Sequence, residues 1–348
     1  MMKTLDTKKG NSMSQRDVND EVLVIGNTSI DSVVMSSGDF YKSVCGGNGI
    51  HSSMAARTVY DGKVSLMTNI PANFPKKYVD SLIYNDIDLQ YTKTCMQSVD
   101  YDELFVYQPN GERIDGIYIK GFDELDGKTL SSEQINLMLR ESKKDNVYSF
   151  MEFRKENPLS LDSISYCHKF KAIHLAPTTY EIHVNATNLD ADIITLDPGR
   201  YLIGMEYSKV VDLASKVTVF APSKKELRYI FPSLSVEEGT RRLGQDSNTS
   251  VVTKNGEKGS IVYDKESKKI FAVGSYPSDV KDLTGAGDSF CGSLCALLAM
   301  EYPLLDSIRM ASVVAGKAIE TVSATERNKI KLSEVLDKYT CVSIKEIK

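Results

Sequence analysis

An α/β fold with a mostly parallel sheet, helices on both faces and a small β lid is what this sequence predicts. Three observations predict it. Short apolar runs alternate with helix-length segments through most of the chain, as parallel β-α units do. Each run closes on polar or turn residues, and such ends collect on one rim of the sheet. Two β-rich pairs, around Ser37-Gly38-Asp39 and around Pro109-Asn110-Gly111-Glu112, interrupt the alternation and suit hairpins better than a parallel sheet.

Composition sets the outer limits. The chain has 348 residues, 41% hydrophobic and 26% charged, which describes a globular protein with ample material for a core. Net charge is −5 with basic residues scattered rather than striped, which argues against nucleic acid or an anionic membrane as the main partner. Six cysteines lie apart, without C-x-x-C pairs or a histidine spacing suited to zinc, and read as reduced thiols. No run of about 18 apolar residues occurs and no signal-peptide core opens the chain, so the expected location is cytoplasmic.

Residues 1–20 are polar and charged and read as a flexible tail before a single domain over 21–348. Val22-Leu23-Val24-Ile25 is a short buried strand ending at Gly26, and Asp31 is expected in the loop that follows. A carboxylate beyond a strand's C-terminal end is placed for ligand contact, or else serves the turn itself. The first hairpin, within lid segment 32–44, runs into Cys45-Gly46-Gly47-Asn48-Gly49-Ile50-His51, a glycine turn opening a helix. Gly46 and Gly47 let a polyhydroxylated substrate reach the backbone, with Asn48 and His51 offering hydrogen bonds; a lone helical His is more often structural.

Val64-Ser65-Leu66-Met67 is the next strand and Pro75 to Ile83 a helix. The second lid segment, 99–120, carries Tyr101, Phe105, Tyr107 and Tyr118, aromatics that are also ordinary β formers. Strands at 172–175, 193–196 and 217–220 then alternate with helices near 178–188, near 205–214 and from Ser223. Glu226 falls in the first turn of that last helix, either complementing its dipole or steering hydrated Mg²⁺. Ser250 to Tyr263 reads strand, glycine turn, strand, with Thr253 and Gly256 expected beside the phosphate turn described next.

That turn is Asp282-Leu283-Thr284-Gly285-Ala286-Gly287-Asp288, feeding an apolar helix. Backbone N–H groups at a helix start lack intrahelical partners, and the dipole adds roughly half a positive charge there. An anion belongs at such a point. Gly285 and Gly287 clear the approach, and Asp288 is either a helix-start carboxylate or a base for an attacking hydroxyl. A dinucleotide fold does not fit, because Phe290 stands at the third glycine position of G-x-G-x-x-G and no strand immediately precedes. No P-loop motif occurs.

In this order the motifs resemble the ribokinase-like (PfkB-type) family of carbohydrate and nucleoside kinases over about residues 21–328. The D-[TL]-T-G-A-G-D signature is matched by Asp282 to Asp288, the early Asp by Asp31 and the Gly-Gly signature by Gly46-Gly47. N-x-x-E corresponds to Ser223 through Glu226, D-x-N-x-R loosely to Asp197 and Arg200, and T-x-G-x-x-G to Thr253 through Gly259 with one extra residue. The resemblance implies a three-layer ribokinase-like fold and phosphoryl transfer from ATP, with Mg²⁺, to an alcohol. It further implies Asp288 as base and Gly285, Ala286 and Gly287 as anion hole. Asp31, Gly46, Gly47, Asn48 and His51 fall on the acceptor side; Thr253, Gly256, Gly259, Thr284 and Ser223 fall on the nucleotide side. Glu226 would meet Mg²⁺ through water, and K⁺ would bind near Asp282.

Three positions depart from the pattern: His51, Ser223 and Gly199 stand where the family has Asn. The expected acceptor is a sugar's primary hydroxyl. The alternatives are a nucleoside kinase, whose lid aromatics would stack a base, and a non-catalytic binding member. Exposed lid strand edges offer a route to a homodimer.

Overall fold

In this computed structural model, residues 20–100, 102–108, 113–118, 128–141, 148–164, 168–325 and 330–348 are described. Strand β1 (Glu21–Ile25) is buried along its whole length. Its apolar residues alternate between two cores, so both faces of the sheet need helices against them. The chain continues through β2 (Ser29–Val34), β3 (Phe40–Gly46), helix α1 (Asn48–Val59), β4 (Lys63–Ile70), α2 (Lys76–Tyr84), β5 (Ile87–Asp88) and β6 (Thr92–Thr94). Next come β7 (Glu103–Tyr107), β8 (Arg113–Tyr118), α3 (Ser132–Glu141), α4 (Phe150–Glu156), β9 (Phe170–Leu175), α5 (Tyr180–Ala186) and β10 (Ala191–Leu196). After α6 (Tyr207–Ser215), β11 (Val219–Phe220), α7 (Lys224–Ile230) and α8 (Val236–Ser247) follow β12 (Ser250–Lys254), β13 (Ser260–Asp264) and β14 (Lys269–Val273). Helices α9 (Ala286–Ala299), α10 (Leu304–Ala318) and α11 (Leu332–Lys338) precede the last strand, β15 (Ile344–Ile347).

The main sheet runs β15-β14-β13-β12-β11-β10-β9-β1-β4-β5, with β6 beside β4. From β12 to β5 the pairing is parallel; β13, β14 and β15 extend one side in antiparallel fashion. Val22 and Val24 pack with Ile50 of α1 and Leu294 of α9 on one face. Leu23 and Ile25 pack with Leu213, Leu227 and Leu243 of α6, α7 and α8 on the other. The expected mostly parallel, doubly covered sheet is therefore present. Strand β11 is shorter than the apolar run at 217–220 predicts: ahead of it, Thr218 Oγ1 accepts from the Ile194 N–H of β10 at 3.1 Å.

The two predicted hairpins form one lid sheet, β3-β2-β7-β8, joined in the middle by the parallel pair β2–β7. Asp31, expected in a loop, lies inside β2 and is 2% exposed. The ladder partners on both sides of β2 make that segment a strand, and the register slips between Asp31 and Val33. The lid's outer face, Val34, Phe40, Leu104 and Val106, is covered by Leu130 and by Met138 of α3, a helix absent from the sequence expectation. The Asn110-Gly111 turn and Tyr101 fall outside the described residues, as does the side chain of Tyr118.

Helix α9 packs so closely on α1 that a Cβ at Gly292 would stand 2.1 Å from the Ser52 carbonyl oxygen. Only backbone lies there, so no rotamer change relieves the overlap. Gly292→Ala is therefore expected to cost about 1–3 kcal/mol of stability through overpacking, read as a lowered urea midpoint at unchanged m-value. An unaltered midpoint would show that the α1–α9 contact is looser than the structure places it.

Candidate active site

Strands end and helices begin along one rim of the main sheet, and the lid stands over that rim. Helix α9 starts at Ala286 with Gly285 as its N-cap in the left-handed region, φ 71°. A side chain at Gly285 would be strained there and would also meet the His51 ring at 2.3 Å. His51, buried in the first turn of α1, thus presses directly on the signature turn. Ser52 Oγ donates to the carbonyl of Asp288 at 3.0 Å, so α1 holds the same turn twice.

Asp282 organises the turn from the other side. Its Oδ1 accepts from the Thr284 N–H at 2.8 Å and from the Tyr107 hydroxyl at 3.0 Å. The Tyr107 hydroxyl also bonds Thr284 Oγ1 at 2.8 Å. Tyr107 belongs to β7, so a lid strand is tied to the phosphate turn through three side chains.

At the first glycine turn, a Cβ on Gly46 would fall 1.9 Å from Asp31 Oδ2, so Asp31 occupies the space a side chain would need. Gly47 caps α1. Asn48 Oδ1 accepts from the Asn27 N–H at 2.7 Å and its Nδ2 donates to the Pro177 carbonyl at 2.8 Å, fastening the β1 and β9 rim loops together. Nearby, Arg154 of α4 reaches Glu103 at 3.2 Å and the Thr28 carbonyl at 2.9 Å.

Two cavities meet at the signature turn. The first, of about 770 Å³, is lined by Asp31, Gly47, Asn48, His51, Glu103, Phe105, Tyr107, Met151, Arg154, Arg200, Glu226 and Asp288 among others. The second, of about 780 Å³, is lined by Lys254, Gly256, Gly259, Tyr276, Phe290 and neighbouring residues. Leu283, Ala286 and Gly287 belong to both. Asp288 faces the first cavity, beside the amides that the helix start directs outward.

Thr253, Ser223 and Glu226 do other work than the sequence implies, or additional work. The Thr253 hydroxyl turns away from the second cavity and bonds Thr240 of α8 at 2.7 Å. Lys254, the next residue, lines the cavity instead. Ser223 is the N-cap of α7 in a capping box: its Oγ accepts from the Glu226 N–H, while Glu226 Oε2 accepts from the Ser223 N–H at 2.6 Å. Ser223 lines neither cavity. Glu226 keeps its place on the wall of the first.

Electrostatics concentrate below the turn, where Lys254 pairs with Asp197 at the end of β10. Burial pushes Asp197 up to about 7; Lys254 opposes the rise, while Glu226 and Asp288 add to it. Burial likewise works against the Lys254 ammonium, but the combined pull of Asp197, Cys291 and Glu226 outweighs it and holds the group above the ordinary lysine range. Lys254 therefore keeps its charge throughout the neutral range. Burial raises Cys291, 3.7 Å from Asp197, well above a usual thiol, so it is not a nucleophile.

Among the described residues, no group of three or more His, Cys, Asp or Glu side chains is arranged to hold a metal. A Mg²⁺ held through substrate phosphates needs only one or two carboxylates, and Glu226 is a carboxylate on the wall of the first cavity. Among the described residues no helix is long and apolar enough to cross a membrane.

Sequence reasoning missed Lys254, the Tyr107 hydroxyl and the Arg154–Glu103 pair. Lys254 stood inside the quoted Thr253–Gly259 stretch, and strand alternation already sets it on the face opposite Thr253. No local signal marked the other two, because their partners are distant in sequence.

Residues 134–331, more than half of the chain, match the model of the pfkB family carbohydrate kinases. The cytidine kinase of Thermococcus kodakarensis is 26% identical over 298 residues, covering 83% of this chain and 92% of that protein. The ribokinase of Lactococcus lactis is 34% identical over 128 residues, 36% of this chain and 39% of that one. A ribokinase from Cryptococcus neoformans in complex with ADP superposes with a TM-score of 0.66 at 15% identity, over 92% of this chain and 99% of that chain. The chain belongs to the pfkB carbohydrate kinase family, and its fold is the ribokinase-like one.

Tyr107→Phe removes one hydroxyl and keeps the ring. With one hydrogen bond to a carboxylate lost, worth about 1.5–3 kcal/mol of stability, the melting temperature should fall by a few degrees, and kcat/KM should fall further than that of a variant equally destabilised away from the turn. Initial rates equal to those of the parent would show that the lid–turn tether does not position the reacting groups.

Proposed function

We propose that this protein transfers the γ-phosphoryl group of ATP to a hydroxyl of a nucleoside, with the lid cavity holding the acceptor and the second cavity the nucleotide. The observation that supports it is the junction: two cavities share the helix-start turn Leu283, Ala286 and Gly287, and a carboxylate, Asp288, stands on one side of it. Phosphoryl transfer asks for positioning and charge stabilisation, and that junction offers both.

In this reading Asp31, backed by Gly46, accepts hydrogen bonds from acceptor hydroxyls. Asp288 takes the proton of the attacking hydroxyl as its oxygen bonds to the γ-phosphorus. The amides at Gly285, Ala286 and Gly287 receive the developing negative charge. Glu226, on the wall of the first cavity, is the carboxylate that would hold Mg²⁺ through water, and the ion would offset charge on the phosphate oxygens. K⁺ at Asp282 belongs to the same proposal, although Oδ1 of that residue already serves Tyr107 and Thr284.

Sequence expects a sugar acceptor with a nucleoside as the alternative, and the cavity wall near Asp31 favours the nucleoside in this proposal. Phe105, Tyr107 and Met151 line the acceptor cavity. A sugar alone offers such a surface little to bury, whereas a base presents an apolar face to it. Arg154 and Glu103 add polar groups on the same side. The cytidine kinase relative, matched over nearly its whole length, supports the same choice.

ADP release with MgATP should be confined to nucleosides in a panel that also holds pentoses, hexoses and polyols. Asp288→Asn should lose roughly 10²–10⁴-fold in kcat and keep ATP binding, and Asp31→Ala should raise the acceptor KM at least roughly tenfold, the value of one or two hydrogen bonds to a charged group. Turnover with ribose or another free sugar in preference to nucleosides would return the acceptor to the sugar class. Full turnover by Asp288→Asn would remove that residue from the base's role.

A further inference from the structure

Lys254 ends β12 at the point where the two cavities meet. Strand alternation sends Thr253 towards α8 and Lys254 towards α9, as the Thr253–Thr240 bond shows on the one side. On the other, a Cβ at Gly287 would lie 3.7 Å from Lys254 Cδ and 3.8 Å from its Nζ. The ammonium pairs with Asp197 Oδ2, and the two side chains are only 15% and 4% exposed.

Structure alone does not account for a lysine here. Desolvating an ammonium and a carboxylate costs several kcal/mol per ion, and a buried pair is weak evidence of a stabilising role. An apolar residue at this position would pack on α9 as Val252, two residues back, packs into the same core. The chemistry of the junction supplies a use. Glu226 and Asp288 both bring negative charge up to Asp197, and a triphosphate adds more. A helix start answers that with roughly half a unit of positive charge.

We propose that Lys254 is a catalytic residue of phosphoryl transfer, its ammonium meeting the transferred group at Gly287, and that Asp197 is the positioning residue that holds it there. The inference rests on the kinase reading above and assigns a part to a side chain which that reading leaves unused. In the step, the acceptor oxygen bonds to the γ-phosphorus and its proton passes to Asp288. The bond from the γ-phosphorus to the β–γ bridging oxygen breaks, and its electron pair leaves with ADP. Lys254 neither gains nor loses a proton. An ammonium has three donors; one goes to Asp197 and one points at Cys291 Sγ, 3.6 Å away, so the third is available to a phosphoryl oxygen.

The test compares the parent chain with Lys254→Met, Lys254→Arg and Asp197→Asn, measuring kcat and KM with a nucleoside panel, ADP affinity by calorimetry and thermal melting. Removing one charge-stabilising donor typically costs about 10²–10³-fold in kcat. Lys254→Met should show that loss with ADP affinity near that of the parent and a lowered melting temperature, since Asp197 is left without its cation, and Lys254→Arg should recover at least tenfold of the kcat loss. Asp197→Asn, which keeps the cation but loosens it, should fall between. A Lys254→Met protein within threefold of the parent's kcat overturns the proposal. So does a loss of melting temperature in Lys254→Met that Lys254→Arg repairs without restoring kcat, since that marks a packing role. Should Lys254→Met fail to fold, Lys254→Gln carries the same criteria. A parent chain with neither turnover nor ADP binding overturns the kinase reading and Lys254's part with it, whereas an active parent with an equally active Lys254→Met overturns only the latter.

Discussion

The docking of α1 against the start of α9 is the contact on which the rest of the site depends. Gly285 and Gly292 let α9 approach until His51 lies on its N-cap and the Ser52 backbone against its second turn. Ser52 Oγ then reaches the Asp288 carbonyl across 236 positions of sequence. Each helix opens from a glycine turn. Packing them together sets the turn that shelters Asp31 opposite the turn that carries Asp288, which places both carboxylates on the wall of the first cavity. Larger side chains at either glycine would separate the helices and pull the two turns apart, so stability and site geometry are one constraint here.

Around that contact, charge and shape divide the labour. The parallel sheet carries apolar side chains on both faces and leaves its polar groups at strand ends, where Asp197 and Lys254 pair at the rim. The lid closes the opposite side, its outer face sealed by α3 and its inner face presenting Phe105, Tyr107 and Asp31 to the cavity. Tyr107 matters doubly, since it lines the first cavity while its hydroxyl holds Asp282 and Thr284. Whatever settles the lid thereby settles the phosphate turn.

Much of this was legible in the sequence, for physical reasons. Parallel strands buried on two faces read as short apolar runs, and a glycine turn before an apolar helix reads as an anion site, because both signals are local. Asp31 was legible as a site residue but not as part of a strand: Ser29, Asp31 and Ser32 have no apolar pattern, and β2 exists because β3 and β7 pair with it. Glu226 and Ser223 illustrate a second limit. The same S-x-x-E spacing serves a capping box or a metal site, and only the hydrogen bonds show that the capping box is formed. Thr253 and Lys254 illustrate a third, since period-two alternation says that neighbours face opposite ways without saying which of them faces the nucleotide. The aromatics of the lid were visible as residues, while the choice of Phe105 and Tyr107 for the cavity wall depends on the register of β7 against β2.

The central claim is that the phosphoryl group crosses between the cavities over the Gly285–Gly287 turn. A crystal structure of the protein with MgADP and aluminium fluoride tests it most directly, since the fluoride complex mimics the phosphoryl group in flight. The account predicts the fluoride ligands over the amides of Gly285, Ala286 and Gly287, with ADP extending past Gly256 and Gly259 and the Asp288 carboxylate on the far side. ADP bound with its phosphates pointing away from that turn, or lodged in the cavity beneath the lid, would contradict it.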